Sequence, residues 1–129
     1  MSLDVFLESA DEFDGDAVEA AFAANGIGGD GATVATPDGG KAEITLEDDA
    51  AGFLIEKLTP DLARIVLDVA TTAELAILPV DGTPTALVPE GVEADEELEP
   101  LPVRSPREVY EALKRSIAKR DEARGARPA

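Results

Sequence analysis

Leu3, Val5 and Leu7 alternate with Asp4 and Glu8 near the start of the chain, the three apolar residues in one phase. That period of two predicts a short strand with one apolar face. Asp14 then stands at a helix N-cap position, with Asp16 and Glu19 favourably placed near the positive end of the helix dipole. Val18, Ala21 and Phe22 mark the buried stripe, and Asn25-Gly26-Ile27 reads as a Schellman ending, glycine taking the left-handed position.

The period returns to two in residues 33–36 and 42–46, on either side of Pro37-Asp38-Gly39-Gly40, which predicts a β-hairpin. After a turn at 47–52, Phe53-Leu54-Ile55 and Leu58 predict a third meander strand. Thr59-Pro60-Asp61 opens a second helix, Thr at the N-cap and Pro at the first helical position, with Leu62, Ile65, Val66 and Val69 as its stripe. Residues 75–80 and 85–88 flank Asp81-Gly82 as a second hairpin. Pro79, Pro84 and Pro89 lack ladder donors and predict that its outer strand lies at a sheet edge. Residues 89–104 are rich in Pro and Glu and read as a linker. Ser105-Pro106-Arg107-Glu108 is a capping box that opens a last helix reaching about residue 124.

The pattern therefore predicts an α+β fold: a mostly antiparallel sheet built from two hairpins and a meander, with two helices packed on one face. An acidic domain over 1–89, an acidic Pro-containing linker over 90–104, a C-terminal amphipathic basic helix over 105–124 and a frayed tail over 125–129 complete the expected organisation.

Composition narrows the chemistry. The 129-residue chain contains no His and no Cys, which removes histidine acid–base catalysis, thiolate nucleophiles, disulfides and thiolate metal sites. It suits a single folded unit with an aliphatic core, since 44% of its residues are apolar. No cationic N-terminal region precedes an apolar stretch, and no apolar run reaches the length of a membrane span. The expectation is a cytoplasmic protein with no membrane partner.

Charge is divided very unevenly. Residues 1–100 hold 24 Asp/Glu and three basic residues, a net of −21, while the remaining 29 residues carry +4. A body of that sign opposes approach to phosphates and disfavours nucleic acid. It favours a basic protein partner, and so a non-catalytic interaction or regulatory module. A small carboxylate-based enzyme or a ligand- or metal-binding domain is the alternative, and acidity serving only as adaptation to high salt is another.

Few motifs suggest chemistry. Gly26–Gly31 satisfies the letters G-x-G-x-x-G, but a helix precedes it and a strand follows, the reverse of a dinucleotide fingerprint. Asp11, Glu12, Asp14 and Asp16 crowd before the first helix and are the only metal candidates, without the spacing of an EF-hand. Ser116 and Lys119 have S-x-x-K spacing but none of its companion motifs. No catalytic residue and no cofactor is assigned. On the last helix Val109, Tyr110, Leu113 and Ile117 form one apolar stripe, continued by Arg120 and Arg124. These six are the expected partner-binding residues, for docking on the chain's own body or for self-association through this helix.

Self-repulsion over the first hundred residues should be relieved by screening, whose length falls from about 30 Å at 0.01 M salt to about 3 Å at 1 M. The melting temperature should rise from low to molar NaCl, and a flat or falling series would contradict the argument.

Overall fold

The computed structural model describes residues 3–9, 13–28, 31–47 and 50–125, with side chains of the last helix as far as Asp121. Strand β1 (Leu3–Glu8) is followed by α1 (Gly15–Ala24), then β2 (Thr33–Ala35), β3 (Lys41–Leu46) and β4 (Ala51–Lys57). Helix α2 (Pro60–Thr72) leads to β5 (Ala76–Pro79), β6 (Thr85–Val88), β7 (Glu99–Pro102) and α3 (Pro106–Gly125). The strands form one seven-stranded sheet in the order β2-β3-β4-β1-β5-β6-β7. Every neighbouring pair is antiparallel except β6 and β7. The expected α+β class, the hairpins and the meander strand at 53–58 are all present.

β1 lies between β4 and β5 and is antiparallel to both, so those two strands run parallel to each other. The chain joining them must cross over β1, and α2 is that crossover. Its apolar side, with Leu62, Val66 and Val69 fully buried, closes on Leu3, Val5, Phe53 and Ile55 of the sheet. α1 packs beside α2 on the same core, where Phe22 meets Phe53 edge to face with ring centroids 5.6 Å apart. That geometry is favourable for the ring quadrupoles, by roughly 0.5–1.5 kcal/mol beyond the area buried.

The helix ends follow from their sequence. The Asp14 carboxylate accepts from the Asp16 and Ala17 amides, and Thr59 Oγ1 accepts from the Leu62 amide. α1 ends with Ile27 N donating to Phe22 O and Gly26 N to Ala23 O, with Gly26 at φ +75°, the predicted Schellman pattern. α2 ends the same way through Leu75 and Glu74, but there the left-handed position is held by Glu74 at φ +56°.

Two expectations about the C-terminal third are corrected. The segment read as linker contains β7, and β6 is an interior strand. Prolines flank β6 without entering it, whereas β7 reads Glu-Pro-Leu-Pro. Glu99 N donates to Pro84 O and Val103 N to Val88 O, so residues of that phase face β6. Pro100 and Pro102 stand in the outward phase, where no ladder donor is required. The edge strand on this side is therefore β7, with two outward prolines, while Pro79 closes the interior strand β5.

A polar knot ties the β2–β3 turn to the start of α2. The Thr36 hydroxyl donates to Asp38 Oδ1, and the Asp61 amide donates to Asp38 Oδ2 at 3.1 Å. Gly40 N donates to Thr36 Oγ1 at 2.8 Å, and the Thr36 and Thr59 hydroxyl oxygens lie 3.3 Å apart. A Cβ at Gly40 would collide with both hydroxyls, so only glycine fits. The Thr36 hydroxyl is the main cause that holds the Asp38 carboxyl down to about 2, against partial desolvation and with help from Thr59 and the Asp61 and Gly40 amides.

A carboxyl depressed on folding contributes stability above its unfolded value and loses it as pH falls through the folded one. For Asp38 that window runs from the ordinary 3.8 down to about 2. Asp38→Asn should melt below the native chain at about pH 6, and the gap between the two should close across that window. Comparing the two proteins at each pH cancels the general relief of acidic repulsion. A constant gap would exclude the ionised form as the stabilising species.

Candidate interaction surface

One face of the sheet carries the helices. The other presents the polar phase of β1, β3, β4 and β5. From β1 come Asp4, Phe6 and Glu8, and from β4 Gly52, Leu54 and Glu56. β3 adds Glu43 and Thr45, and β5 adds Leu78. Val80 follows in the same phase, its amide donating to Asp4 O at 2.9 Å.

The register sets these side chains in two rows across the strands. One runs Thr45, Gly52, Phe6, Leu78, and the next Glu43, Leu54, Asp4, Val80. Phe6, Leu54, Leu78 and Val80 thus form one apolar patch at the middle of the sheet. Phe6 is 47% exposed and Val80 46%, and they are the two most exposed large apolar side chains described. Gly52 makes room for the ring: a Cβ there would lie 3.4 Å from Phe6 Cδ1, and only 2.6 Å from the Val5 carbonyl oxygen.

Carboxylates surround the patch. Asp4, Glu8, Glu43 and Glu56 face the same side as Lys41, whose Nζ lies 3.5 Å from Glu56 Oε2, and its register partner Lys57. A face of net negative charge around an exposed aromatic differs from ordinary solvated surface, where large apolar residues occur singly.

Of the two dockings expected for the stripe on the last helix, the structure shows the one on the chain's own body. Val109 and Leu113 are fully buried in the core, and Tyr110 and Ile117 pack against it, because α3 docks on α2 of its own chain. The apolar stripe is thus covered intramolecularly. Lys114 Nζ sits 5.8 Å from the Tyr110 ring centroid. Arg120 is half-buried and engaged. Arg124 lies on α3, its side chain outside the described residues. The Ser105 cap is present, with Glu108 N donating to Ser105 Oγ at 3.2 Å, while Glu108 Oε1 accepts from Arg104 N, one residue before the cap, at 2.8 Å.

Of the four metal candidates only Asp14 and Asp16 lie among the described residues. Asp14 is engaged as the α1 cap, Asp16 is exposed beside it, and Asp11 and Glu12 lie outside the described residues. Among the described residues no group of three possible ligands converges, and no helix is long and apolar enough to cross a membrane.

Two hollows flank α3. A groove of about 280 Å³ is lined by Leu101, Pro102 and Val103 on one side and Arg107, Glu108, Glu111 and Arg115 on the other. Its charges are mixed, and Glu108 is committed to the cap. A smaller hollow of about 40 Å³ holds Asp81, Ser116 and Lys119. Burial raises the Asp81 carboxyl, but the Thr83 hydroxyl and amide, Ser116 and Lys119 outweigh it and leave the group below its ordinary value. Ser116 Oγ donates to Ala112 O at 3.2 Å, back-bonding its own helix. The S-x-x-K pair therefore lines this hollow beside Asp81, with the Ser116 hydroxyl committed to its own helix.

Sequence reasoning missed the sheet face, although β1 carried its signal. Phe6 is a large apolar residue in the polar phase of a strand whose apolar phase was already filled. No known protein family, curated protein or solved structure matches this chain.

If α3 is part of the core, Leu113→Ala should cost about 2–5 kcal/mol in a denaturant melt, whereas Arg115→Ala should stay within about 0.5 kcal/mol of the native chain. Equal, small effects would mean that α3 is only loosely attached.

Proposed function

We propose that the protein is a non-catalytic interaction module that receives a basic protein partner on its uncovered sheet face. The observation that carries this reading is Phe6, exposed at the centre of the sheet beside Leu54, Leu78 and Val80 and bordered by Asp4, Glu8, Glu43 and Glu56. An apolar centre within a charged rim is the usual anatomy of a protein-binding patch, and aromatic residues near the centre supply much of the affinity. The rim selects cationic partners and steers their approach.

The geometry favours docking on the face rather than strand addition at an edge. β7 presents Pro100 and Pro102 outward, so it offers no outward amide in that phase, and β2 at the other edge has only three residues. Composition supports the non-catalytic part, since neither His nor Cys is available to activate a nucleophile. Adaptation to high salt would account for scattered carboxylates, but it gives no reason to expose Phe6 and Val80 side by side.

The test is a titration of the full chain with a synthetic amphipathic helix of leucine and lysine, read by amide chemical shifts. Shifts should cluster on β1, β4 and β5, and affinity should fall as salt rises. Phe6→Ser should weaken binding by about tenfold or more. Shifts confined to α3 or to the loops, or binding indifferent to Phe6→Ser, would overturn the assignment of this face.

A further inference from the structure

We propose that Asp4 is the specificity determinant of this face, and that the partner answers it with an arginine whose guanidinium pairs with the Asp4 carboxylate while lying on the Phe6 ring. The inference rests on the docking reading above and adds the chemistry of the partner's anchor.

Asp4 is half-buried, with Leu54 opposite it on β4, Val80 beside it on the β5 side, and Phe6 two residues along the same face. Among the described residues its carboxylate has no hydrogen-bond or ion-pair partner. Of the two described cations on this face, Lys41 is engaged by Glu56, and its register partner Lys57 stands three residues beyond Leu54 on β4. The apolar patch therefore has a single unanswered charge at its middle.

A partner that covers the patch removes Asp4 from water. If it brings only apolar atoms, the stranded carboxylate opposes binding. A cation set opposite Asp4 converts that penalty into a charge-assisted hydrogen bond. Asp4 therefore discriminates by rejection as well as by attraction.

Arginine fits better than lysine for two reasons. Its planar fork can bind a carboxylate through two N–H groups, and it is more weakly hydrated than an ammonium. Residues two apart on a strand lie roughly 6.5 Å from one another, within reach of one guanidinium that touches the Asp4 carboxylate and still covers part of the Phe6 ring.

The experiment uses the full chain and two synthetic helices with the same leucine stripe, one wholly lysine on its polar side and one with a single central arginine. The arginine peptide should bind several-fold tighter to the native protein. Asp4→Asn should abolish that preference and weaken binding by about tenfold, while Glu43→Gln, a rim change, should weaken it by less than about twofold. Melting curves of both variants confirm that they are folded.

If shifts map to β1, β4 and β5 but Asp4→Asn and Glu43→Gln act alike, or the two peptides bind equally, the arginine anchor is overturned and the docking face stands. If neither peptide shifts those strands, the docking face itself fails and the anchor fails with it.

Discussion

The period-two alternation of β1 is the constraint on which the rest of the structure depends. As the central strand it pairs with β4 on one side and β5 on the other, so its side chains fix which face of the sheet is inside. Leu3, Val5 and Leu7 are all buried and draw the helices to one side. The crossover through α2 then has only one face on which to bury its stripe, and α1 and α3 pack where α2 already lies. A one-residue slip of β1 would exchange the two faces, placing Asp4 and Glu8 in the core. The uncovered face follows from that same alternation, because whatever sits in the even phase of β1 is displayed at the middle of the sheet.

Much of this was legible in the sequence where local chemistry decides local structure. Asp14, Thr59 and Ser105 announced their helices because each side chain satisfies amides only a few residues away. Gly26 announced an ending because a left-handed backbone suits glycine. The β2–β3 hairpin was legible from its turn residues. What could not be read were pairings decided by distant partners. β7 looked like linker because Pro100 and Pro102 argue against any strand, and only its place at the edge makes them tolerable. α3 looked able to dock in cis or in trans, since an amphipathic stripe records that it will be buried but not by what. Glu74 in a left-handed conformation carried no signal, being held there by the docking of Leu75 behind it.

The candidate site was legible in part, and the reason it was overlooked is physical. Fold reading asks which residues a strand must bury, and Leu3, Val5 and Leu7 answer fully. Phe6 adds nothing to that answer, so it passes as one more exposed apolar residue. Its meaning depends on three neighbours from other strands, Leu54, Leu78 and Val80, which only the register brings beside it. In the Asp/Glu cluster before α1, Asp14 was legible as a cap, and it serves its own helix.

The same register gives the charge asymmetry a different meaning. A basic C-terminal segment after an acidic body looks like an arm awaiting a partner. Once α3 packs on α2, its Lys and Arg residues belong to the helical layer, and the carboxylates of β1, β3 and β4 belong to the opposite surface. The basic segment then compensates part of the body's charge from within, which lowers the cost of folding so acidic a chain. The helical layer as a whole stays acidic, since Asp14, Asp16, Glu19, Asp61 and Asp68 of α1 and α2 outweigh the surplus of bases on α3. A cationic partner of the proposed kind would be attracted by the acidic body in general, and the apolar patch with Asp4 would decide where it docks. On that proposal long-range charge supplies the attraction and the patch supplies the place, so the acidity of the chain need not be concentrated on one face to serve it.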